Sequence, residues 1–501
     1  MIMPKLFDTS PQITVKLYKG ISRQTVDGET GVSARYQGKD EYIDLNPYLN
    51  IGSHIRTSKS VKEPAGAFYL TFADKPHNQT GSSLESLYGL IEPMDMIEIR
   101  MWSGIGDWDV SAEGKPLYPV KMRGFISKIS RSMTMSEDGK PQRTVTVVGH
   151  DYGKIWQMYQ VLHLPAYNEN QALLSNYGLW EIFGVEATNV MTAGQFVTTM
   201  IDKIINPFLS QFMPANTRMP TSIKTDIRVA HGVINNSYQN QQGSIFEILR
   251  FHGDVGIWNE LYTEDREDGV YCVYRPVPSV KLQRGADTAS GLIQTDATMP
   301  DIVIIDDYFI KSISTERGDD NVANFFWVNN ARYDMIDDMP RKLAAIAVDD
   351  SKVSLTKYPN SAVKYYGLRA MYAETQQSDD GVTNATSGQS QQVQDTRSTQ
   401  QLSWIDERLR ILRETNKDNV VYERGSAMIK GGIQIKAGDY ALFKIGTFQF
   451  VAYVNQVDED FSPFQGYTTT LTFERCEGFV ERIKMETGTA APWLSEQASR
   501  R

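Results

Sequence analysis

The clearest alternation of apolar and polar residues lies between residues 120 and 154. A first arm alternates around Phe125 and Met133, and a second arm, residues 144–148, is rich in β-branched side chains. The turn between them, residues 136–141, contains the Asp, Gly and Pro residues that tight turns use. Period-two alternation with β-branched residues predicts one long β-hairpin here.

A second hairpin of the same pattern occurs near the end of the chain, and a turn followed by a strand precedes each copy. The matched segments, in order, are 93–99, 124–129 and 144–147 with 437–443, 452–457 and 470–473. Only the first copy contains an insertion, residues 104–118. Matching order and spacing indicate two copies of one β-domain. The alternative is that two unrelated long hairpins look alike.

Strand patterns also precede the first hairpin and follow the middle of the chain. Residues 192–213 instead carry an apolar stripe at helical spacing, which predicts a helix that Pro207 should kink or restart. A capping box from Ser244 to Glu247 predicts the start of a second helix. The fold predicted is mainly β with α+β insertions. The predicted domains are a β-barrel at 1–155, a mixed α/β middle domain at 156–300, a second β-barrel at 301–345 and 420–482, an insertion at 346–419, and a flexible C-terminal tail at 483–501.

Within the insertion, residues 375–401 are rich in Gln, Ser, Thr and Asp and contain few apolar side chains. Such a segment cannot bury a core, which predicts a mobile loop. Ser403 is predicted to cap a short helix that ends near Arg413.

Composition places the chain among globular proteins, with 41% hydrophobic and 22% charged residues in 501. Its two cysteines, Cys272 and Cys476, can form neither a disulfide framework nor a zinc site, which fits a reducing cytoplasm. No apolar run is long enough to cross a bilayer and no secretory signal is visible, so stable membrane insertion is not expected. The net charge of −10 argues against a dedicated nucleic-acid binder.

The charge is unevenly distributed. Basic residues dominate from Lys121 to Lys154, whereas acidic residues dominate from Glu260 to Asp307. These segments are either two solvated faces or oppositely charged surfaces that meet between subunits or partners.

Candidate chemistry is sparse. The six histidines form no zinc-hydrolase motif, and no nucleophile elbow, P-loop or dinucleotide-binding motif is present. Adjacent aspartates such as Asp306-Asp307 point to opposite faces of a strand, so they do not converge as a glycosidase pair would. His150-Asp151 lacks an accompanying nucleophile and is interpreted as a turn. No catalytic, cofactor-binding or metal-binding residue is predicted, and no cofactor is expected.

Three pairs of segments stand in a characteristic order along the chain: Arg123–Ile126 with Val147–Asp151, Ile257–Leu261 with Tyr274–Pro278, and Glu423–Ser426 with Ile435–Asp439. In these segments and their order, the chain resembles the baseplate hub proteins of contractile-tailed phages, a family shared with other contractile injection systems. The resemblance extends over about residues 50–480, and the Gln/Ser-rich interruption and the insertion at 104–118 depart from it.

This resemblance implies that both β-barrels are tube-type domains and that three chains form a pseudo-sixfold ring between a sixfold tail tube and a threefold spike. It also implies a structural, non-enzymatic role in the virion after assembly in the host cytoplasm. The implied partners are further copies of the chain, the central spike protein, the tail tube or tube-initiator protein, baseplate wedge proteins, the tape measure protein, and genomic DNA only in transit.

Inter-subunit contacts in such a ring are expected on the two hairpins, and acidic side chains lining the bore would repel passing DNA. The residues predicted for the ring interface are Lys121, Arg123, Phe125, Lys128, Arg131, Arg143, Phe450, Tyr453, Thr470 and Thr472. The alternative functions are a tail-associated cell-wall hydrolase, which a zymogram would detect, and a carbohydrate-binding adhesin, which glycan-array binding would detect.

Overall fold

The computed structural model is mainly β, which confirms the predicted fold class. It describes residues 11–20, 42–79, 82–84, 86–103, 109–110, 116–135, 139, 141–161, 192–213, 217–229, 232–234, 243–278, 300, 302–330, 360, 363–378, 391–417, 419–446 and 448–478. Among these residues, no helix is long and apolar enough to span a membrane.

The N-terminal part of the chain is built almost entirely of strands, including the predicted hairpin β10–β11. A short helix, α1 (Leu87–Leu90), and a 3-10 turn, Asn46–Tyr48, lie between them. The strands are β1 (Gln12–Tyr18), β2 (Ile43–Asp44), β3 (Ile55–Ser60), β4 (Ala67–Ala73), β5 (His77–Gln79), β6 (Ser82–Leu84), β7 (Met96–Trp102), β8 (Asp109–Val110), β9 (Pro116–Leu117), β10 (Val120–Met135) and β11 (Pro141–Asp151).

The middle part mixes helices and strands. Its elements are α2 (Gly153–Met158), β12 (Gln160–Val161), α3 (Ala193–Met200), a π-helical segment (Ile201–Ile205), α4 (Asn206–Phe212), β13 (Ile223–Ile227), β14 (Val233–Ile234), β15 (Gly243–Ser244), α5 (Ile245–His252), β16 (Asn259–Arg266) and β17 (Gly269–Pro276). The predicted restart at Pro207 is confirmed, since a new α-helix begins there after the π-helical segment. The capping box from Ser244 to Glu247 is also present.

The C-terminal part returns to strands around one long helix. Its elements are β18 (Ile302–Asp306), a 3-10 turn (Asp307–Phe309), β19 (Ile310–Glu316), β20 (Phe325–Asn330), α6 (Val363–Tyr366), β21 (Ala370–Thr375), β22 (Gln377–Ser378), α7 (Gln391–Asn416), β23 (Glu423–Lys430), β24 (Tyr440–Ile445), β25 (Phe448–Ser462) and β26 (Gly466–Gly478).

Within the part of the chain that the structure describes, a 13-stranded sheet runs through both ends. Its strands form two units of six, plus β2. The N-terminal unit has the order β3-β4-β11-β10-β7-β1, and the C-terminal unit has the order β19-β23-β26-β25-β24-β18. The two orders match strand by strand, as the internal repeat predicts. They differ at one edge, because β1 runs antiparallel to β7 whereas β18 runs parallel to β24.

A shared β-bulge sets the correspondence between the two hairpins. The register of β10 against β11 shifts between Ile126 and Lys128, and that of β25 against β26 shifts between Val454 and Gln456. Both shifts fall at the same place in the aligned first arms. Because a bulge fixes the register of a strand pair, the hairpins correspond residue by residue from this bulge to their tips.

The turn before each hairpin is held by the same hydrogen bonds. In the N-terminal unit, the Glu92 N–H donates to Asp95 Oδ2 (2.8 Å), and the Ile126 N–H donates to the Asp95 carbonyl oxygen (2.9 Å). The Met94 N–H donates to the Ile126 carbonyl oxygen (2.8 Å).

The C-terminal unit repeats each of these bonds. The Lys436 N–H donates to Asp439 Oδ2 (2.9 Å), the Val454 N–H to the Asp439 carbonyl oxygen (3.0 Å), and the Gly438 N–H to the Val454 carbonyl oxygen (2.7 Å). Gly438 has a φ of 95° and its counterpart Met94 a φ of 70°. The left-handed backbone is therefore required by the turn itself, even where the residue is not glycine.

The three-stranded sheet β13-β17-β16 lies between the middle helices and the C-terminal unit. Alternate residues of β17 serve different cores: Cys272 and Tyr274 pack with the helices α3–α5, whereas Val273 packs with the C-terminal unit. Successive side chains on a strand point to opposite faces, so one strand joins two cores.

Three predictions are wrong, one about the second barrel and two about the insertion. The strand predicted near residues 322–328 does not belong to the second barrel, because β20 pairs in parallel with β21. Its core residues Val328 and Ala373 pack instead with Leu412 of α7. The polar residues 375–401 of the insertion do not form one mobile loop, because Thr375 is buried at their start and a helix of 26 residues begins at Gln391. Ser403 lies inside this helix, so it does not cap a short helix as predicted.

The physical reason is that glutamine is a good helix former, so a polar segment continues a helix whose C-terminal half is anchored by apolar residues. Residues 379–390, which complete the predicted loop, and the predicted tail at 483–501 lie outside the described residues.

Candidate assembly interfaces

The two units are joined edge to edge by β3 and β25. Six residue pairs run antiparallel from Ile55–Phe461 to Ser60–Gln456. The Arg56 guanidinium lies 3.1 Å from Asp458 Oδ2, and Gln456 Nε2 donates to Ser58 Oγ (3.2 Å). Phe461, at the tip of the second hairpin, is 6% exposed and packs into the core of the N-terminal unit. A chain-internal junction of this kind holds two equivalent units side by side in one continuous sheet.

A buried ion cluster supports this junction from the middle domain. Lys59 Nζ, on β3, lies 2.5 Å from Asp151 Oδ2 and 2.8 Å from Asp265 Oδ2. Thr263 Oγ1 donates to the same Asp151 oxygen (2.5 Å). Burial lowers the pKa of Lys59, but the two carboxylates outweigh burial, so the pKa of its ammonium is raised. The cluster ties β3, β11 and β16 together where two units and the middle domain meet.

A second buried cluster fixes the middle domain to the C-terminal unit. The Arg275 guanidinium donates to Glu260 Oε2 (3.0 Å) and to the Gly438 carbonyl oxygen (2.7 Å). The Tyr453 hydroxyl also donates to Glu260, so the hairpin and its preceding turn are both held. Burial opposes the charge of Arg275, but Tyr262 and Glu260 favour it, and the pKa of the guanidinium is raised overall.

The basic hairpin and the acidic segment meet within one chain. Arg123 donates to Glu98 Oε2 (3.0 Å) and to the Arg266 carbonyl oxygen (2.7 Å), and Arg100 donates to Glu267 Oε2 (2.8 Å). Five carboxylates of the acidic segment form ion pairs within the chain, with cations that lie outside residues 121–154. Their ion pairs are Glu260–Arg275, Glu264–Arg266, Asp265–Lys59, Glu267–Arg100 and Asp268–Lys224.

These five carboxylates are engaged within the chain, whereas an attraction between the two segments across subunits and a bore lined by acidic side chains both stay predictions. Each one pairs with a cation of its own chain. Asp265 and Glu267 reach Lys59 and Arg100 because the β16–β17 hairpin lies against the N-terminal unit.

The structure divides the ten residues predicted for the ring interface into two groups. Five are buried and point into the chain itself, so they cannot supply a contact with another subunit: Lys121, Arg123, Phe125, Phe450 and Tyr453. The other five lie on the accessible side of the hairpins: Lys128, Arg131, Arg143, Thr470 and Thr472. The Arg131 guanidinium lies 2.9 Å from Asp74 Oδ2. The interface stays a prediction for these five alone.

Sequence reasoning missed the buried ion clusters. Lys59, Asp151 and Asp265 are separated by about a hundred residues each, and no local pattern marks a lysine that will be buried. In the sequence, Asp151 stands out only as the neighbour of His150, whose imidazole contacts Ser127 Oγ (3.1 Å). Burial lowers the pKa of His150.

A wide cleft of about 1130 Å³ opens where the middle domain, the C-terminal unit and the end of α7 meet. Charged side chains line it, including Glu247 and Arg250 of the middle domain and Arg424 and Glu474 of the C-terminal unit. Among the described residues, no three His, Cys, Asp or Glu side chains come together as a metal site.

Comparison with known proteins gives matches among solved structures. No protein-family model and no curated protein sequence matches the chain. A tail protein from Neisseria meningitidis MC58 is similar over 93% of this chain and 96% of its own, with 11% identity and a TM-score of 0.45. The 43 kDa tail protein of prophage MuSo2 from Shewanella oneidensis is similar over 93% and 96%, with 10% identity and a TM-score of 0.41.

A third similar structure is the prophage tail protein gp18 from Listeria monocytogenes EGD-e, over 92% of this chain and 94% of its own, with 9% identity and a TM-score of 0.40. All three of these structures are tail proteins.

Proposed function

We propose that this protein is a structural baseplate hub of a contractile phage tail, in which three copies form a pseudo-sixfold ring. One observation carries the proposal: a single chain holds two equivalent β-units, joined edge to edge in one sheet by β3 and β25. A threefold assembly of such chains presents six equivalent units, which is the symmetry needed to seat a sixfold tube on a threefold spike.

The buried clusters favour a rigid role. Lys59 and Arg275 each connect the middle domain to a strand or turn of the duplicated units through short charge-assisted bonds. Breaking such a buried contact is costly, so the relative position of the two units is fixed within the chain. A chain that keeps two units at a set spacing suits a mechanical adaptor and needs no catalytic step.

In the proposed assembly, the ring lies in the virion between the tail tube or tube-initiator protein and the central spike protein. Baseplate wedge proteins surround it, the tape measure protein ends at it, and genomic DNA passes through it only in transit. Assembly takes place in the host cytoplasm. The two buried cysteines support this, since neither is used in a disulfide.

The mass of the full-length protein in solution tests the proposal. We expect light scattering coupled to size-exclusion chromatography to give three times the chain mass of 56.6 kDa, and negative-stain images to show a ring of six similar lobes around an opening. A protein that stays monomeric across a dilution series, or a compact particle with no opening, would contradict the proposal.

A further inference from the structure

The sheet that joins the two units ends in two strand edges that face no further strand. Among the described residues, residues 128–135 of β10 pair only with β11, and β19 pairs only with β23. These edges are the counterparts of the two strands that form the junction inside the chain: β10 corresponds to β25, and β19 corresponds to β3. We propose that the β10 edge of one copy pairs with the β19 edge of the next copy, as β25 pairs with β3 inside each chain. This inference rests on the proposed ring.

The observed pairings fix the register of the proposed contact. The bulges make Ile129 equivalent to Val457, and their partners Val147 and Leu471 are then equivalent as well. In each unit, the residue paired with this position on the next strand, and then on the strand after it, extends the correspondence to the edge of the sheet. The two series are Val147, Leu70 and Ile55 in the N-terminal unit, and Leu471, Ala427 and Ile313 in the C-terminal unit.

Ile313 is therefore the counterpart of Ile55, and residues 313–318 are the counterpart of 55–60. Since Ile55 lies opposite Phe461 in the observed junction, Ile313 is expected opposite Met133 of the neighbouring copy. The six pairs then run antiparallel as follows: Met133–Ile313, Ser132–Ser314, Arg131–Thr315, Ser130–Glu316, Ile129–Arg317 and Lys128–Gly318.

The side chains at this register complement each other. Inside the chain, Ser58 and Gln456 are diagonal neighbours joined by a hydrogen bond of 3.2 Å. Their counterparts are Glu316 and Lys128, which are both exposed and of opposite charge. Opposite charges at neighbouring positions on one face stabilise a strand pair. The proposed contact thus replaces a polar pair with an ion pair.

The hairpin tip shows the same complementarity. Phe461 inserts its ring into the core of the neighbouring unit and is 6% exposed, whereas its counterpart Met133 is 65% exposed. Ile313, which would face Met133, is half-buried at the open edge of the C-terminal unit. A second copy is the occupant that covers both residues at once, because it carries the matching edge at its other end.

Disulfide trapping tests the register directly. In an antiparallel pair, facing Cα atoms lie about 4.5–5.5 Å apart, which a disulfide can bridge. We expect the full chain carrying Ser132→Cys and Ser314→Cys to yield covalent dimers and trimers under mild oxidation, and to lose them on reduction. Lys311→Cys in place of Ser314→Cys is the matched control, since that position lies about 10 Å further along the strand.

The outcomes separate this inference from the proposed function. The native cysteines are buried and do not compete, and a circular dichroism spectrum like that of the parent chain shows that each variant folds. Covalent trimers from the matched pair but not from the control support the register. A native trimer in which the matched pair does not cross-link, or cross-links no better than the control, overturns the inference but leaves the ring intact. A protein that is monomeric throughout overturns both.

Discussion

Replacing Lys59 by methionine removes the only cation that the described structure places between Asp151 and Asp265. The side chain of Lys59 is 17% exposed, and those of the two aspartates are 1% and 3% exposed. Methionine keeps the length and packing of the aliphatic stem, so the change isolates the loss of charge. We expect the junction between the two β-units to become markedly less stable.

The size of the effect follows from burial. Removing one partner of a buried ion pair costs about 3–5 kcal/mol, because the charge left behind has lost both water and partner. Lys62 provides the matched control on the same segment: its ammonium lies 2.5 Å from Glu474, but its side chain is 58% exposed. For an exposed pair of that kind, Lys62→Met should cost about 1 kcal/mol or less.

The loss should also depend on pH. Burial already raises the pKa of Asp265, and Lys59 opposes that rise. Without Lys59 the folded protein binds a proton on Asp265 at a pH where the unfolded chain has released it. Stability of the variant is therefore lost as the pH rises above the ordinary pKa of aspartate, so its deficit relative to the parent protein is smaller near pH 5 than near pH 8.

Hydrogen exchange of the backbone amides of β3 and β16 measures this locally and does not require two-state unfolding of the whole chain. A loss of about 4 kcal/mol corresponds to exchange roughly a thousandfold faster. If Lys59→Met and Lys62→Met differed by less than about 1 kcal/mol, or if the Lys59→Met deficit were the same at both pH values, the cluster would not hold the junction as argued.

Three further changes test other parts of the structure. Glu316 also pairs with Arg424 of its own chain (2.8 Å), so the parent for this test carries Arg424→Gln. In that parent, Lys128→Glu should weaken trimer formation by about fivefold and adding Glu316→Lys should restore it, as measured by sedimentation; a double variant no better than the single one would count against their contact. Burial raises the pKa of Asp439 to about 6, so stability is lost as the pH rises from about 4 to 6. In chemical denaturation, Asp439→Asn should therefore raise the free energy of unfolding near pH 8 by up to about 3 kcal/mol and leave it unchanged near pH 4. A Cβ on Gly149 would lie 2.2 Å from Phe68 Cζ. Gly149→Ala should therefore lower the free energy of unfolding by about 2 kcal/mol and the thermal midpoint with it. Gly89→Ala should leave both unchanged, because a Cβ at Gly89 has no atom within 4 Å; equal effects of the two variants would argue against this packing.

Much of the β-architecture could be predicted because it is local. Alternation along residues 120–148 specifies a hairpin whatever the rest of the chain does, and its repetition at 448–478 specifies a second unit. The turn at Asp95 and its copy at Asp439 could be aligned because each carboxylate caps its own turn three residues back.

The remaining features depend on contacts far apart in the sequence. The parallel pairing of β18 with β24 joins segments more than a hundred residues apart, and no strand pattern states the direction of its neighbour. Lys121 and Arg123 alternate with apolar residues as exposed cations would, yet both are buried because carboxylates from Glu459 and Glu98 meet them there. Burial of a charge is decided by its partner, which the local sequence does not contain.

The charges at the two kinds of junction also explain how a duplicated sheet avoids pairing with the wrong edge. Two open edges with equivalent backbones would pair freely unless their side chains disfavoured it. If β19 took the place of β3 against β25, Glu316 would lie directly opposite Asp458, and two facing carboxylates destabilise a strand pair. Against β10, the same Glu316 lies opposite Ser130 and diagonal to Lys128. Duplication therefore supplies the geometry, whereas divergence of a few edge residues decides which edge is joined within a chain and which is left for the next copy.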